Sequence, residues 1–145
     1  MKKNNTIIYK STLLLCFVFS SFASYSQEIL IKNGDQWSFY DKGYLEDNWY
    51  KNQNFQNWKT GNSPLGYGDD YIATIINYGN DKNNKEITKY FTKKVTIKDI
   101  TKFKGFEFRL QRDDGAVIYV NGKELYRDNM PSGHITKKNN RNSVY

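Results

Sequence analysis

Ala116-Val117-Ile118-Tyr119-Val120-Asn121-Gly122-Lys123-Glu124-Leu125-Tyr126-Arg127 is the stretch whose reading decides the fold class. Its first five residues are β-branched, aromatic or small, a composition that suits a pleated, half-buried strand. Asn-Gly then accepts positive φ at both central turn positions, which gives the two-residue turn whose twist matches paired strands. The stretch is predicted to be a β-hairpin over 116–127.

Immediately upstream, Phe106-Glu107-Phe108-Arg109-Leu110-Gln111 alternates apolar and polar without a break, the pattern of a half-buried strand. A further strand is expected from Tyr90 to Ile97, with Phe91, Val95 and Ile97 on one face. Lys93 interrupts that alternation and points to a bulge or an edge position. Tyr71 to Asn77 is another strand candidate, and Glu28 to Ile31 with Trp37 to Tyr40 suggests a short N-terminal pair. Connectors rich in Asn, Gly and Asp, including 60–70 and 77–86, separate these runs. No stretch of helical length shows helical periodicity. Short strands with frequent turn signals indicate an all-β sandwich or barrel.

Composition agrees with one small domain. Apolar residues make up 38% of the 145-residue chain, and many lie near its start. The remainder leans on 12 Tyr, 9 Phe and 3 Trp, whose large rings can close a core in an otherwise polar chain and so argue against disorder.

Residues 1–26 read as a secretory signal peptide. Lys2, Lys3 and Lys10 form a positive region, and Leu13-Leu14-Leu15-Cys16-Phe17-Val18-Phe19 fades through Ser20-Ser21-Phe22-Ala23. Ser24 and Ser26 supply small residues for cleavage before Gln27. The apolar stretch is about 11 residues, well short of the roughly 20 that span a bilayer. A secreted location, extracellular or periplasmic, is therefore expected, with no membrane attachment after cleavage. The only cysteine, Cys16, falls within the signal and follows three leucines, a poor setting for a lipid anchor; the mature chain has no disulfide and no thiol nucleophile.

The formal charge of +7 overstates the basicity of the folded part. The signal carries three of the 22 basic side chains and no acid, leaving 19 against 15, or +4. Lys137, Lys138 and Arg141 sit in a polar basic tail, 137–145, so the module itself, 27–136, is close to neutral. A basic face for nucleic acid is not expected.

Catalytic constellations are lacking. The single histidine, His134, lies beside Pro131-Ser132-Gly133 with no metal-ligand partner at a recognisable spacing, and it reads as a loop residue. Gly66-Tyr67-Gly68 is not followed by the lysine and hydroxyl residue of a phosphate loop. Asp69-Asp70 and Asp113-Asp114 flank glycines. Such pairs suit turns, the preferred reading, and a structural calcium is the alternative; no other cofactor is expected. Trp49, Phe55, Trp58, Tyr67 and Tyr71 cluster in the loop-rich N-terminal half. Such rings serve either as core or as stacking platforms for sugars, with Asp, Asn and Arg orienting hydroxyls.

The string Arg112-Asp113-Asp114-Gly115-Ala116-Val117-Ile118-Tyr119-Val120-Asn121-Gly122-Lys123-Glu124-Leu125, followed by Asn129-Met130-Pro131, resembles galactose-binding-like jelly-roll modules of secreted bacterial proteins. These are the modules that accompany metallophosphatase, lamin-tail and spore-coat-kinase-like proteins. Trp58 and Gly61, Pro64-Leu65-Gly66-Tyr67-Gly68-Asp69 and Tyr90-Phe91-Thr92-Lys93 fit the same pattern, so the resemblance spans about residues 35–136. It implies a jelly-roll β-sandwich acting as a non-catalytic accessory module that binds carbohydrate. The ligand-binding candidates are Trp58, Tyr67, Asp69, Arg112 and Asp113, and the expected partner is a polysaccharide or cell-surface glycan. The alternatives are a structural spacer or adhesion domain, or the accessory domain of a secreted metallophosphatase. Such modules normally continue into further strands after Asn-Met-Pro. The chain is therefore expected to be truncated at its C-terminus, a fragment or N-terminal part of a larger exported protein.

Overall fold

In the computed structural model the described residues are 27–51 and 54–135. The signal expected over 1–26, with Cys16, and the tail 137–145 lie outside them.

The architecture is all-β. Among the described residues, seven strands, β1 (Gln36–Tyr40), β2 (Lys59–Asn62), β3 (Leu65–Gly66), β4 (Thr74–Ile75), β5 (Tyr90–Thr92), β6 (Ala116–Val120) and β7 (Lys123–Asp128), are accompanied by single 3-10 turns at Trp49–Lys51 and Ile100–Lys102. Among the described residues no helix is long and apolar enough to cross a membrane.

β1 is the centre of a three-stranded antiparallel sheet, with β2 on one side and β5 on the other. The register places Gln36 opposite Asn62, Phe39 opposite Lys59 and Phe91, and Tyr40 opposite Tyr90. Side chains alternate across a strand, so Phe39 and Tyr40 serve opposite faces. Both faces are covered, because Phe39 and Tyr90 are buried, as is Ile76 just beyond β4. Over the Tyr40–Tyr90 face lie Trp49, 5.0 Å from the Tyr90 ring, and Trp58, 5.9 Å from the Tyr40 ring.

β6 and β7 form the hairpin expected over 116–127. Val120 faces Lys123 across the turn, where Asn121 and Gly122 have φ of 50° and 75°. These are the two left-handed positions that Asn-Gly tolerates. One irregularity interrupts the ladder: Ile118 faces Tyr126 but Tyr119 faces Glu124, leaving Leu125 as the extra residue of a bulge.

Four strand expectations are corrected. Phe106–Gln111 belongs to no sheet, and Phe106, Phe108 and Leu110 are each about half exposed. Glu28–Ile31 forms no strand, and Ile29 is 72% exposed. Alternation describes what a strand would bury, but a strand also needs a neighbouring backbone, and neither segment has one among the described residues. The Tyr71–Asn77 candidate shrinks to β4, which pairs parallel with β3, in a region read as a connector. The strand from Tyr90 stops at Thr92. Lys93 turns back instead, donating from Nζ to the Gln36 carbonyl at 3.0 Å and lying 3.3 Å from the Asp35 carboxylate.

Candidate functional site

Two loops that are far apart in sequence approach each other. The first leaves β3 and runs Tyr67-Gly68-Asp69-Asp70-Tyr71 before returning as β4. The short β3–β4 ladder holds its ends: Ala73 N–H and Thr74 N–H donate to the Pro64 carbonyl at 2.9 and 3.1 Å, and Ile76 N–H donates to Gly66 O at 3.0 Å. Gly68, at φ 101°, makes the sharp turn between them.

The second loop, Gln111-Arg112-Asp113-Asp114-Gly115, feeds β6. Asp114 N–H donates to its neighbour's carboxylate, Asp113 Oδ1, at 2.9 Å, and Asp114 itself has φ 60°. This is local Asx hydrogen bonding, the turn chemistry expected of such pairs. Arg112 ties the loop down: its Nε donates to Asp128 Oδ2 at 2.6 Å, its Nη2 pairs with the same carboxylate, and its Nη1 donates to the Asp114 carbonyl. Asn129 Nδ2 donates to that carbonyl as well, at 3.1 Å.

The loops approach each other at Tyr71. The neighbouring Asp69 carboxylate is the main reason the Tyr71 pKa is raised, since it favours the protonated phenol, while Gln111 of the second loop works to lower it. The Tyr67 pKa is raised first by burial, then by the negative charges of Asp114 and Asp113. Behind Tyr67 stands Tyr78, edge to face at 5.1 Å, and Lys85 Nζ lies over both rings at 4.9 and 5.4 Å. Tyr71 is 57% exposed and so presents its side chain to solvent.

Of the five candidates, Tyr67, Asp69 and Asp113 come together, on both loops. Arg112 stands beside them, with its guanidinium engaged by Asp128 and the loop carbonyl. Trp58 is elsewhere. It packs among Phe55 at 4.8 Å, Trp49 at 5.7 Å and Tyr40, in the aromatic layer over the central sheet. Tyr71 and Gln111 complete the site. Tyr71 stands in the sequence among the clustered rings, and nothing marks Gln111, which reads there as the polar end of an alternating run.

Neither acidic pair forms a cation cage. Among the described residues no group of three or more His, Cys, Asp or Glu side chains is placed to hold a metal ion. His134 sits on an exposed loop with Nδ1 3.3 Å from Asp47 Oδ2, and the adjacent Ile135 carbonyl accepts from the Tyr44 hydroxyl at 2.8 Å.

A second polar centre was missed by the sequence reading. Asp41, directly after β1, is 1% exposed and accepts from Lys59 Nζ and from the Asn77 amide, each at 2.8 Å. Burial works to raise its pKa, yet Lys59 and the Asn77 amide outweigh that and hold it below the ordinary carboxylate value. Lys89 lies nearby with a buried Nζ that has no hydrogen-bond partner among the described residues, and burial lowers its pKa despite the charges of Glu86 and Asp41. Asp41 ties β1, β2 and the segment after β4 together, a structural task.

No known protein family, curated protein or solved structure matches this chain.

Proposed function

We propose that the chain is a secreted, non-catalytic β-sandwich accessory module of jelly-roll type, part of a larger exported protein, that binds glycan at the Tyr67–Tyr71 and Gln111–Asp113 loops. The observation that carries the binding reading is the approach of Tyr71 and Asp69 on the first loop to Gln111 and Asp113 on the second. It leaves one tyrosine ring facing solvent with carboxylate and amide groups at its rim. Sugars offer apolar C–H faces to such a ring and hydroxyls to such polar groups, so a shallow site of this kind discriminates by stacking and by a few placed hydrogen bonds. The two-stranded hairpin and the central three-stranded sheet are the kind of scaffold that a sandwich uses.

The reading is tested by binding to a broad panel of soluble polysaccharides. Binding to at least one is expected, with Tyr71→Ala and Asp69→Ala each weakening it about tenfold or more through loss of stacking or of a charge-assisted hydrogen bond. Trp58→Phe is expected to leave it unchanged. Flat isotherms across the panel defeat the glycan reading.

One observation favours the spacer or adhesion reading. Trp49, Trp58, Tyr40 and Tyr90 are packed on each other, so most of the large rings serve the interior. The accessory domain of a metallophosphatase remains a proposal about neighbouring sequence, and finding a His- and Asp-rich metal domain in the same reading frame would support it.

A further inference from the structure

The segment Phe106-Glu107-Phe108-Arg109-Leu110 presents an apolar face that nothing in the described structure covers. Phe106, Phe108 and Leu110 are 48, 54 and 49% exposed, three consecutive members of one alternating set. Residues 105–111 make no backbone hydrogen bond to any described residue, so a row of N–H and C=O groups runs beside those rings. The segment is nevertheless organised. Glu107 and Arg109 form an ion pair at 2.7 Å, the i,i+2 contact of an extended chain whose alternate side chains share a face. Phe103 stacks on Phe106 at 5.4 Å, bracing its start, and a Cβ placed on Gly105 would meet no atom within 4 Å.

A segment whose backbone groups have no partner among the described residues and whose apolar face is half exposed is a template for another strand. The order of its side chains says which strand fits. When the segment is laid antiparallel on a copy of itself about Phe108, Phe106 meets Leu110, Phe108 meets Phe108, and Glu107 meets Arg109 at both ends. Every cross-strand pair is then apolar with apolar or acid with base, the combinations that stabilise an antiparallel ladder. A shift of one residue sets rings against charges, and a shift of two sets Glu107 opposite itself or Arg109 opposite itself. The segment is thus complementary to its own copy in a single register, the property of a two-fold interface in which one patch serves both partners.

We propose that residues 106–110 pair antiparallel with the same residues of a second copy of this chain, about a two-fold axis through Phe108. The proposal does not depend on the glycan reading, whose residues lie outside the paired segment.

Charge exchange tests it. In sedimentation across a wide concentration range, the purified exported chain is expected to show a concentration-dependent dimer. Because each pair occurs twice, Glu107→Arg sets like charges opposite one another at both ends and is expected to weaken the dimer by roughly tenfold or more; Arg109→Glu does the same. The double change Glu107→Arg with Arg109→Glu restores complementarity and is expected to restore the dimer. Phe108→Lys, at the axis, abolishes it. Near-ultraviolet circular dichroism of the aromatic layer verifies that each variant is folded; if Phe108→Lys fails to fold, the charge exchange alone decides. Two results overturn the proposal: a folded monomer at all concentrations, whether the strip is then covered by more of the same polypeptide or by another protein, or self-association indifferent to the charge exchange.

Discussion

Tyr50 and Tyr119 lie ring on ring, with centroids 3.9 Å apart and planes 8° from parallel. Tyr50 belongs to the 3-10 turn beside the central sheet and Tyr119 to the hairpin. Trp49 flanks the stack, edge-on to both rings. This stack links the hairpin to the sheet, and truncating either ring should loosen that link. Tyr119→Ala is expected to cost about 2 kcal/mol, less than a fully buried aromatic would because both rings are partly exposed. A double-mutant cycle with Tyr50→Ala should give a coupling of about 1 kcal/mol, the range for aromatic pairs, and additive effects in denaturant titrations would refute it.

The buried Asp41 makes stability depend on acid. Its folded-state pKa lies below its unfolded value, so the stability it adds is complete above about pH 5 and is lost as pH falls through the folded pKa. Urea midpoints measured from pH 6 downward should fall for the native chain. Asp41→Asn should start lower by about 2 kcal/mol, since Lys59 and the Asn77 amide lose a charged acceptor, and should show a shallower fall. Parallel curves for the two proteins would remove Asp41 as the cause.

Lys89 has the opposite sign of effect. Burial depresses its pKa, and its Nζ lacks a hydrogen-bond partner among the described residues. Lys89→Met should therefore stabilise the fold by about 1 kcal/mol near neutral pH, by removing an unsatisfied charged group while keeping most of the volume. The advantage should shrink as pH rises through the depressed folded pKa and vanish above the unfolded value of about 10.4, where the lysine is neutral in both states. A thermal shift that is negative, or that does not narrow at high pH, contradicts this.

Gly61 in β2 lies against Thr74 of β4. A Cβ there would stand 2.6 Å from Thr74 Oγ1 and 2.9 Å from Thr74 Cβ. That hydroxyl donates to the Asn62 carbonyl at 2.8 Å, so it cannot move aside without losing the bond. Gly61→Ala is expected to destabilise by about 2 kcal/mol. The companion Gly61→Ala, Thr74→Ser, which removes the crowding methyl, should recover part of the loss, and equal unfolding midpoints for the two would argue against overpacking.

The hairpin was legible because all its determinants are local: β-branched residues on one arm and an Asn-Gly pair whose backbone adopts the two positive φ values that the turn needs. The turn character of Asp113-Asp114 was legible for the same reason, as an Asp side chain reaches its own neighbour's amide. Tyr67, Asp69 and Asp113 could be picked out by residue type. Their convergence could not, because it depends on the two-residue β3–β4 ladder, whose strands are too short to leave a periodic pattern. Trp58 carried the same chemical signature as Tyr67, yet it lies over the central sheet, because a ring's role is set by what stands beside it.

By itself, then, the sequence determined the all-β character, the 116–127 hairpin and the chemistry available at the two acidic loops, each from contacts between residues close along the chain. Tertiary structure alone decided which alternating runs become strands. Trp37–Tyr40 found two neighbouring backbones and became the central strand, while Phe106–Leu110, with a cleaner alternation, found none among the described residues. Alternation sets the side chains a strand offers, and only a partner at hydrogen-bonding distance satisfies its N–H and C=O groups. Asp41 marks the same boundary: an aspartate that nothing distinguishes along the chain is buried at the junction of three segments because Lys59 and Asn77, 18 and 36 residues away, arrive there to bind it.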